Sequence, residues 1–103
     1  MPIIDDVTDQ MKTAMRAKDK VRLGALRGIR AAFIEAMKAD GSETVPDAAA
    51  ITILRRLEKQ RKESISAYEQ GGREDLAGVE REELGVLQDF LPVSYTHLRA
   101  HET

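Results

Sequence analysis

The sequence predicts an all-α protein: a four-helix bundle-like domain with one long helix. Three observations carry that prediction. Apolar residues recur at three- and four-residue spacing through four separate stretches. No stretch alternates apolar and polar residues with the period of two that a half-buried strand requires. Residues that start or stop helices fall between the stretches: Asp19, Asp40-Gly41, Pro46, Gly71-Gly72 and Pro92. At 103 residues the chain suffices for one small core, and neither an internal repeat nor a low-complexity segment interrupts it.

The first helix carries Ile4, Val7, Met11, Ala14 and Met15 on its apolar face, with Asp5 and Asp6 at the positive end of its dipole, and it runs to about Lys18. The second begins at Asp19, an N-cap residue type. Its core arc is Ala25, Leu26, Ile29, Ala32, Phe33, Ala36 and Met37, and it ends near Asp40-Gly41. Gly24 and Gly28 weaken it locally unless they admit a close helix crossing. The third and longest spans about Pro46 to Gln70, with Thr44 as the expected N-cap and an apolar stripe of Ile51, Leu54, Leu57, Ile65 and Tyr68. Arg55, Lys59 and Lys62 share its outer face. The fourth starts near Arg73-Glu74-Asp75, packs through Leu76, Val79, Leu84, Leu87 and Leu91, and stops at "FLP" because Pro92 disfavours helix at the residue before it.

The chemical vocabulary is narrow. Residues 1–92 contain no His, Cys or Trp and one Tyr, so a Ser-His or Cys-His nucleophile and a His- or Cys-based zinc site are excluded there. Gly71-Gly72 reads as a helix stop, not a phosphate loop. "DGSETVPD" lacks the spacing of a calcium loop. Glu80, Glu82, Glu83 and Asp89 read as a solvated helix face rather than an acid–base pair. No catalytic residue, cofactor or metal is expected.

Two features remain. Arg61 falls inside the apolar stripe of the third helix, between Leu57 and Tyr68, where a guanidinium needs a partner or a route to solvent; a structural ion pair is expected, with its carboxylate unnamed. The other is charge segregation. Residues 12–38 carry eight Lys/Arg against Asp19 and Glu35, a balance of +6. Residues 63–89 carry eight Asp/Glu against Arg73 and Arg81, a balance of −6. Either the two segments neutralise each other in the fold, or the basic one faces an anionic partner. In the second case Arg16, Lys18, Lys20, Arg27 and Arg30 track a phosphate backbone. Phe33 lies on the apolar face, so base stacking is absent and recognition would be of phosphate and shape, as structured RNA allows.

The absence of Cys, of a signal-peptide pattern and of any run near 18 apolar residues leads to the expectation of a cytoplasmic protein without membrane contact.

Three stretches then resemble a known family, two of them quoted below and the third the Gly-containing loop between them. "AMRAKDKVRLGALR" follows the "AMKAKDKxRLxxLR" run of the YqeY family, within the GatB/YqeY domain group, at Ala14, Met15, Lys18, Asp19, Lys20, Arg22, Leu23, Leu26 and Arg27. Lys59, Gln60, Arg61, Glu63, Ser64, Tyr68, Gly72, Arg73, Asp75, Leu76, Glu80, Leu87, Leu91 and Pro92 follow its "KQRxES…Y…GRxDL…E…L…LP" pattern. The resemblance implies an all-helical protein similar to the C-terminal region of the GatB subunit of glutamine-dependent aminoacyl-tRNA amidotransferases. That region helps hold tRNA while the reaction occurs elsewhere. The implied partners are tRNA and amidotransferase subunits. The implied role is a binding module that is not catalytic by itself. Alternatives are an accessory component of carbon–nitrogen ligase activity with glutamine as amide donor, and a structural helper without RNA binding.

The family continues past "LP" into a second small helical domain; here residues 93–103 read "VSYTHLRAHET". All eleven residues match the translation of a sequencing-library adapter. The expectation is therefore an N-terminal helical domain over 1–92, an artefactual tail over 93–103, and a missing second domain. His97 and His101, four apart like a helical metal-ligand pair, belong to that tail and are not offered as a metal site.

Overall fold

The computed structural model describes residues 2–91; the expectations for residues 93–103, including His97 and His101, lie outside the described residues. Four helices follow in order: α1 (Ile3–Ala17), α2 (Lys20–Asp40), α3 (Asp47–Gln70) and α4 (Glu74–Gln88). No strand occurs among the described residues. At 24 residues α3 is the longest, but α2, at 21, is nearly its equal.

The turns explain the pairing of the helices. Three of the four helices end in the same hydrogen-bonded motif, in which a residue at positive φ lets two trailing N–H groups reach back to unsatisfied carbonyls. After α2 that residue is Gly41 at φ 67°, with Ser42 N–H on the Met37 carbonyl at 3.0 Å. After α3 it is Gly72, with Arg73 N–H on the Tyr68 carbonyl at 2.8 Å. After α1 it is Lys18, at φ 59°, with Asp19 N–H on the Ala14 carbonyl at 3.0 Å. Asp19 then caps α2, its Oδ1 accepting from Arg22 N–H at 3.1 Å. The result is two helical hairpins, α1–α2 and α3–α4.

Helix α2 joins them. It packs on α1, α4 and α3 and supplies five buried residues: Ala25, Leu26, Ile29, Ala32 and Phe33. Leu26, Phe33, Val7 from α1 and Leu54 from α3 are inaccessible to solvent and form the centre of the core.

Several details depart from the sequence expectations. Thr44 does not cap α3, because Pro46 at φ −62° sets the helix start at Asp47 and leaves Thr44 too far upstream. Asp47 instead caps α1 across the domain, its Oδ1 accepting from Ile3 N–H at 3.0 Å. Met15 and Val79, assigned to apolar faces, are 53% and 44% exposed. Helix α4 stops at Gln88, not at "FLP": Phe90 and Leu91 fold back in a tight turn, through N–H groups on the Leu87 and Gln88 carbonyls, and bury their side chains in the core. Nothing among the described residues lies within 4 Å of a Cβ built on Gly24, so that glycine serves no helix crossing.

These placements predict unequal costs of truncation. Leu54→Ala loses about 3 kcal/mol of stability in urea denaturation, whereas Met15→Ala changes it by less than about 0.5 kcal/mol; equal losses would contradict the packing described.

Candidate functional site

The α3–α4 seam is polar where an amphipathic pattern leads one to expect apolar contacts. Arg61 on α3 donates from Nη1 to both carboxylate oxygens of Glu80, at 3.1 and 3.2 Å, and lies 3.4 Å from Glu83. Further along, Gln88 donates to Glu58 at 3.1 Å, and Arg81 bonds Glu69 on α3 and Glu74 on α4. Glu80 and Glu83 are mostly covered, at 14% and 18% side-chain exposure, so their negative charge depends on Arg61. Burial, and then the hydrogen bond with Glu80, push the Glu83 carboxyl above its ordinary value of 4.5, while Arg61 pulls it the other way. A small cavity of about 40 Å³ adjoins the cluster, between Gly28 and Ile29 of α2, Leu57 and Arg61 of α3, and Glu83 and Leu87 of α4.

The sequence missed Glu80 and Glu83 as partners, although a signal for both was there, Glu83 falling between Val79 and Leu76 on the apolar arc of α4. At 100° per residue Glu80 falls between Leu87 and Leu84, inside the apolar arc of α4, as Arg61 falls inside that of α3. Two opposite charges misplaced on two neighbouring helices point at each other.

This seam decides where the remaining charge goes. Six of the eight acids in 63–89 are ion-paired: Glu69, Glu74, Asp75, Glu80, Glu83 and Asp89. Only Asp89 pairs with the basic segment, through Arg22 at 3.4 Å; Arg22 also bonds Gln10 of α1. Beyond that one pair the two segments do not neutralise each other by contact among the described residues. Arg16, Lys18, Lys20, Arg27 and Arg30 are all exposed and make no ion pair or side-chain hydrogen bond among the described residues. They occupy the end of α1, the turn and the first half of α2. Lys18 stands at that turn in a left-handed conformation that disfavours a lysine.

An open cleft of about 370 Å³ separates the start of α2 from the end of α4, with Asp19, Arg22, Glu82 and Asp89 as its charged lining and Val21 and Val86 as its apolar walls. No group of three or more His, Cys, Asp or Glu converges as a metal site among the described residues. No helix among them is long and apolar enough to cross a membrane.

Comparison with known proteins places this arrangement. The family model described as Yqey-like protein matches residues 4–102. Three similar curated proteins share the name "Altered inheritance of mitochondria protein 41, mitochondrial". The one from Vanderwaltozyma polyspora is 38% identical over 79% of this chain and 44% of its own length. That from Meyerozyma guilliermondii is 36% identical over 79% and 42%, and that from Pyrenophora tritici-repentis 35% over 78% and 44%. The chain thus matches less than half the length of these relatives. Their names also correct the expected cytoplasmic location, since all three are mitochondrial proteins and point to the mitochondrion instead. The physical reason is that an organelle address is read by a receptor and leaves no mark on a folded helical core.

The seam makes two predictions. Arg61→Met leaves two covered carboxylates without their cation and loses on the order of 1–3 kcal/mol at pH 7; a fully stable variant would remove the structural role. For Glu83 the raised folded-state value means that the native protein holds this proton more tightly than the unfolded chain does. Its stabilising contribution is present at low pH and is lost as pH rises through the raised value. Glu83→Gln keeps the uncharged form at all pH values. It therefore raises the melting temperature at pH 7, with a gain that vanishes below about pH 4.5, the ordinary carboxyl value. A gain independent of pH would show that burial of this charge is not the cause.

Proposed function

The chain belongs to the Yqey-like protein family, and from that premise we propose that its domain is a non-catalytic binding module that holds structured RNA, tRNA by the family resemblance, on the α1–α2 surface. The observation that carries this reading is the unneutralised cation surface. Arg16, Lys18, Lys20, Arg27 and Arg30 are exposed along the end of α1, the turn and the first half of α2 without acidic partners among the described residues, while Glu74, Asp75, Glu80, Glu83 and Asp89 are engaged by Arg61, Arg73, Arg81 and Arg22. Exposed cations left unpaired repel one another, and an anionic ligand that releases counterions relieves this.

Lys18 adds to the support. A glycine in the same turn conformation would avoid a cost of about 1 kcal/mol. The lysine gains nothing inside the fold, since its side chain has no partner among the described residues. It places a cation at the tip of the α1–α2 hairpin. Strained backbone kept at an exposed charged position supports a role toward a ligand.

The test is a filter-binding titration of the full chain with tRNA over a range of salt. Five phosphate contacts predict that log K falls with log salt at a slope of about −4. Arg27→Glu with Arg30→Glu abolishes most of the binding, and Lys59→Glu, at an exposed position of α3, leaves it unchanged. Lys18→Gly flattens the slope by about one unit while raising stability by up to about 1 kcal/mol. Absence of salt-dependent binding overturns the proposal.

A further inference from the structure

The junction where α2 meets α3 and α4 sets two covered carboxylates against one guanidinium. We infer that Glu80 and Glu83 share a single proton there, which makes the junction a pH-sensitive latch that loosens when the proton leaves. This inference does not rest on the binding reading above.

The geometry crowds three groups onto one atom. Arg61 Nη1 lies 3.1 and 3.2 Å from the two carboxylate oxygens of Glu80 and 3.4 Å from Glu83 Oε1. Glu80 and Glu83 stand three apart on α4, so their side chains leave the same face of the helix. With 14% and 18% of their side chains exposed, neither has free access to water. The one cation balances one of the two charges. A proton between the carboxylates replaces the remaining repulsion with a hydrogen bond.

No second cation lies within ion-pair distance of either carboxylate among the described residues. On α3, Lys62 is 3.9 Å from Glu58, which also accepts from Gln88 of α4. On α4, Arg81 turns to Glu69 and Glu74. From α2 the contact is made by Ala25, Gly28 and Ile29, none of them titratable, and Arg27 and Arg30 are exposed. Burial, and then the bond with Glu80, hold the Glu83 carboxyl above its ordinary value although Arg61 opposes them.

The loosening follows from what lies beside Glu83. The adjoining cavity of about 40 Å³ has Ala25, Ile29, Leu57 and Leu87 as apolar walls. An uncharged carboxyl suits those walls. Once the proton leaves, a second negative charge faces them and requires water, for which the cavity has room. Arg61 also reaches toward the α2 backbone, since a Cβ on Gly28 would stand 4.0 Å from its Nη2. The cluster thus touches three helices at once, and hydrating it opens the α2–α4 contact around Ile29 and Leu87, both buried in the closed state. The native state holds the proton more tightly than the unfolded chain does, so the closed junction is favoured at low pH and weakens as pH rises through the raised value.

The test is a carbon-13 carboxyl titration of the full chain by NMR, with amide hydrogen exchange measured on the same protein. The Glu80 and Glu83 carboxyl resonances are expected to move together in a step centred above 4.5, the ordinary value for Glu83. Glu80→Gln shifts the Glu83 step downward, because it removes the sharing partner and leaves Arg61 to one carboxylate. Protection of the Ile29 and Leu87 amides, corrected for the intrinsic exchange rate at each pH, falls as pH rises through the step and stays constant in Glu83→Gln. A Glu80 resonance that does not respond in that step overturns the shared proton, as does a Glu83 step that Glu80→Gln leaves in place. Protection independent of pH in the unaltered chain overturns the latch.

Discussion

Arg61 stands between Glu80 and Glu83, and the distribution of charge over the whole domain follows from that contact. Helix α4 is strongly acidic and packs on both α3 and α2. Had its covered carboxylates found their cations on α2, the basic segment would have been consumed in holding the fold together. They find Arg61 on α3 instead, and α4's own Arg81 draws Glu69 and Glu74 together across the same seam. The α3–α4 hairpin is thereby close to self-neutralising, and the α1–α2 hairpin keeps its positive charge, Arg22–Asp89 being the one ion pair between the two among the described residues. An overall charge of −2 coexists with a cationic face.

Much of the fold was legible in the sequence, for identifiable reasons. Helix existence came from apolar spacing, and the turn residues Asp19, Gly41 and Gly72 stand where the punctuation put them. Legibility failed where tertiary contacts override local rules. Thr44 has the chemistry of a cap but stands upstream of Pro46, and the carboxylate of Asp47 serves a different helix altogether. The end of α4 was set by Pro92 in the sequence, yet burial of Phe90 and Leu91 draws the chain out of the helix first. Met15 matched the period of α1 but lies past the reach of the core.

The site was legible one side at a time. Arg61 announced itself by its angle, and so did Glu80, but periodicity within one helix does not say which two helices adjoin. The basic residues were legible as a list. Their lack of partners was not, because it depends on where every carboxylate of α3 and α4 ends up. The cost of Lys18 was equally invisible, since a lysine in "AKDK" gives no hint of positive φ until the turn is built. Cytoplasmic location failed for a different reason: a folded core does not encode its compartment.

The same logic ties stability to function. The α3–α4 seam spends its charges on structure. The α1–α2 surface carries a strained lysine that the fold does not require. The most direct measurement of this division is amide chemical-shift mapping of the full chain on titration with tRNA. The account predicts shifts concentrated between residues 16 and 30, with residues 74–88 silent. Shifts centred on α3 or α4, or none at saturating RNA, would contradict it.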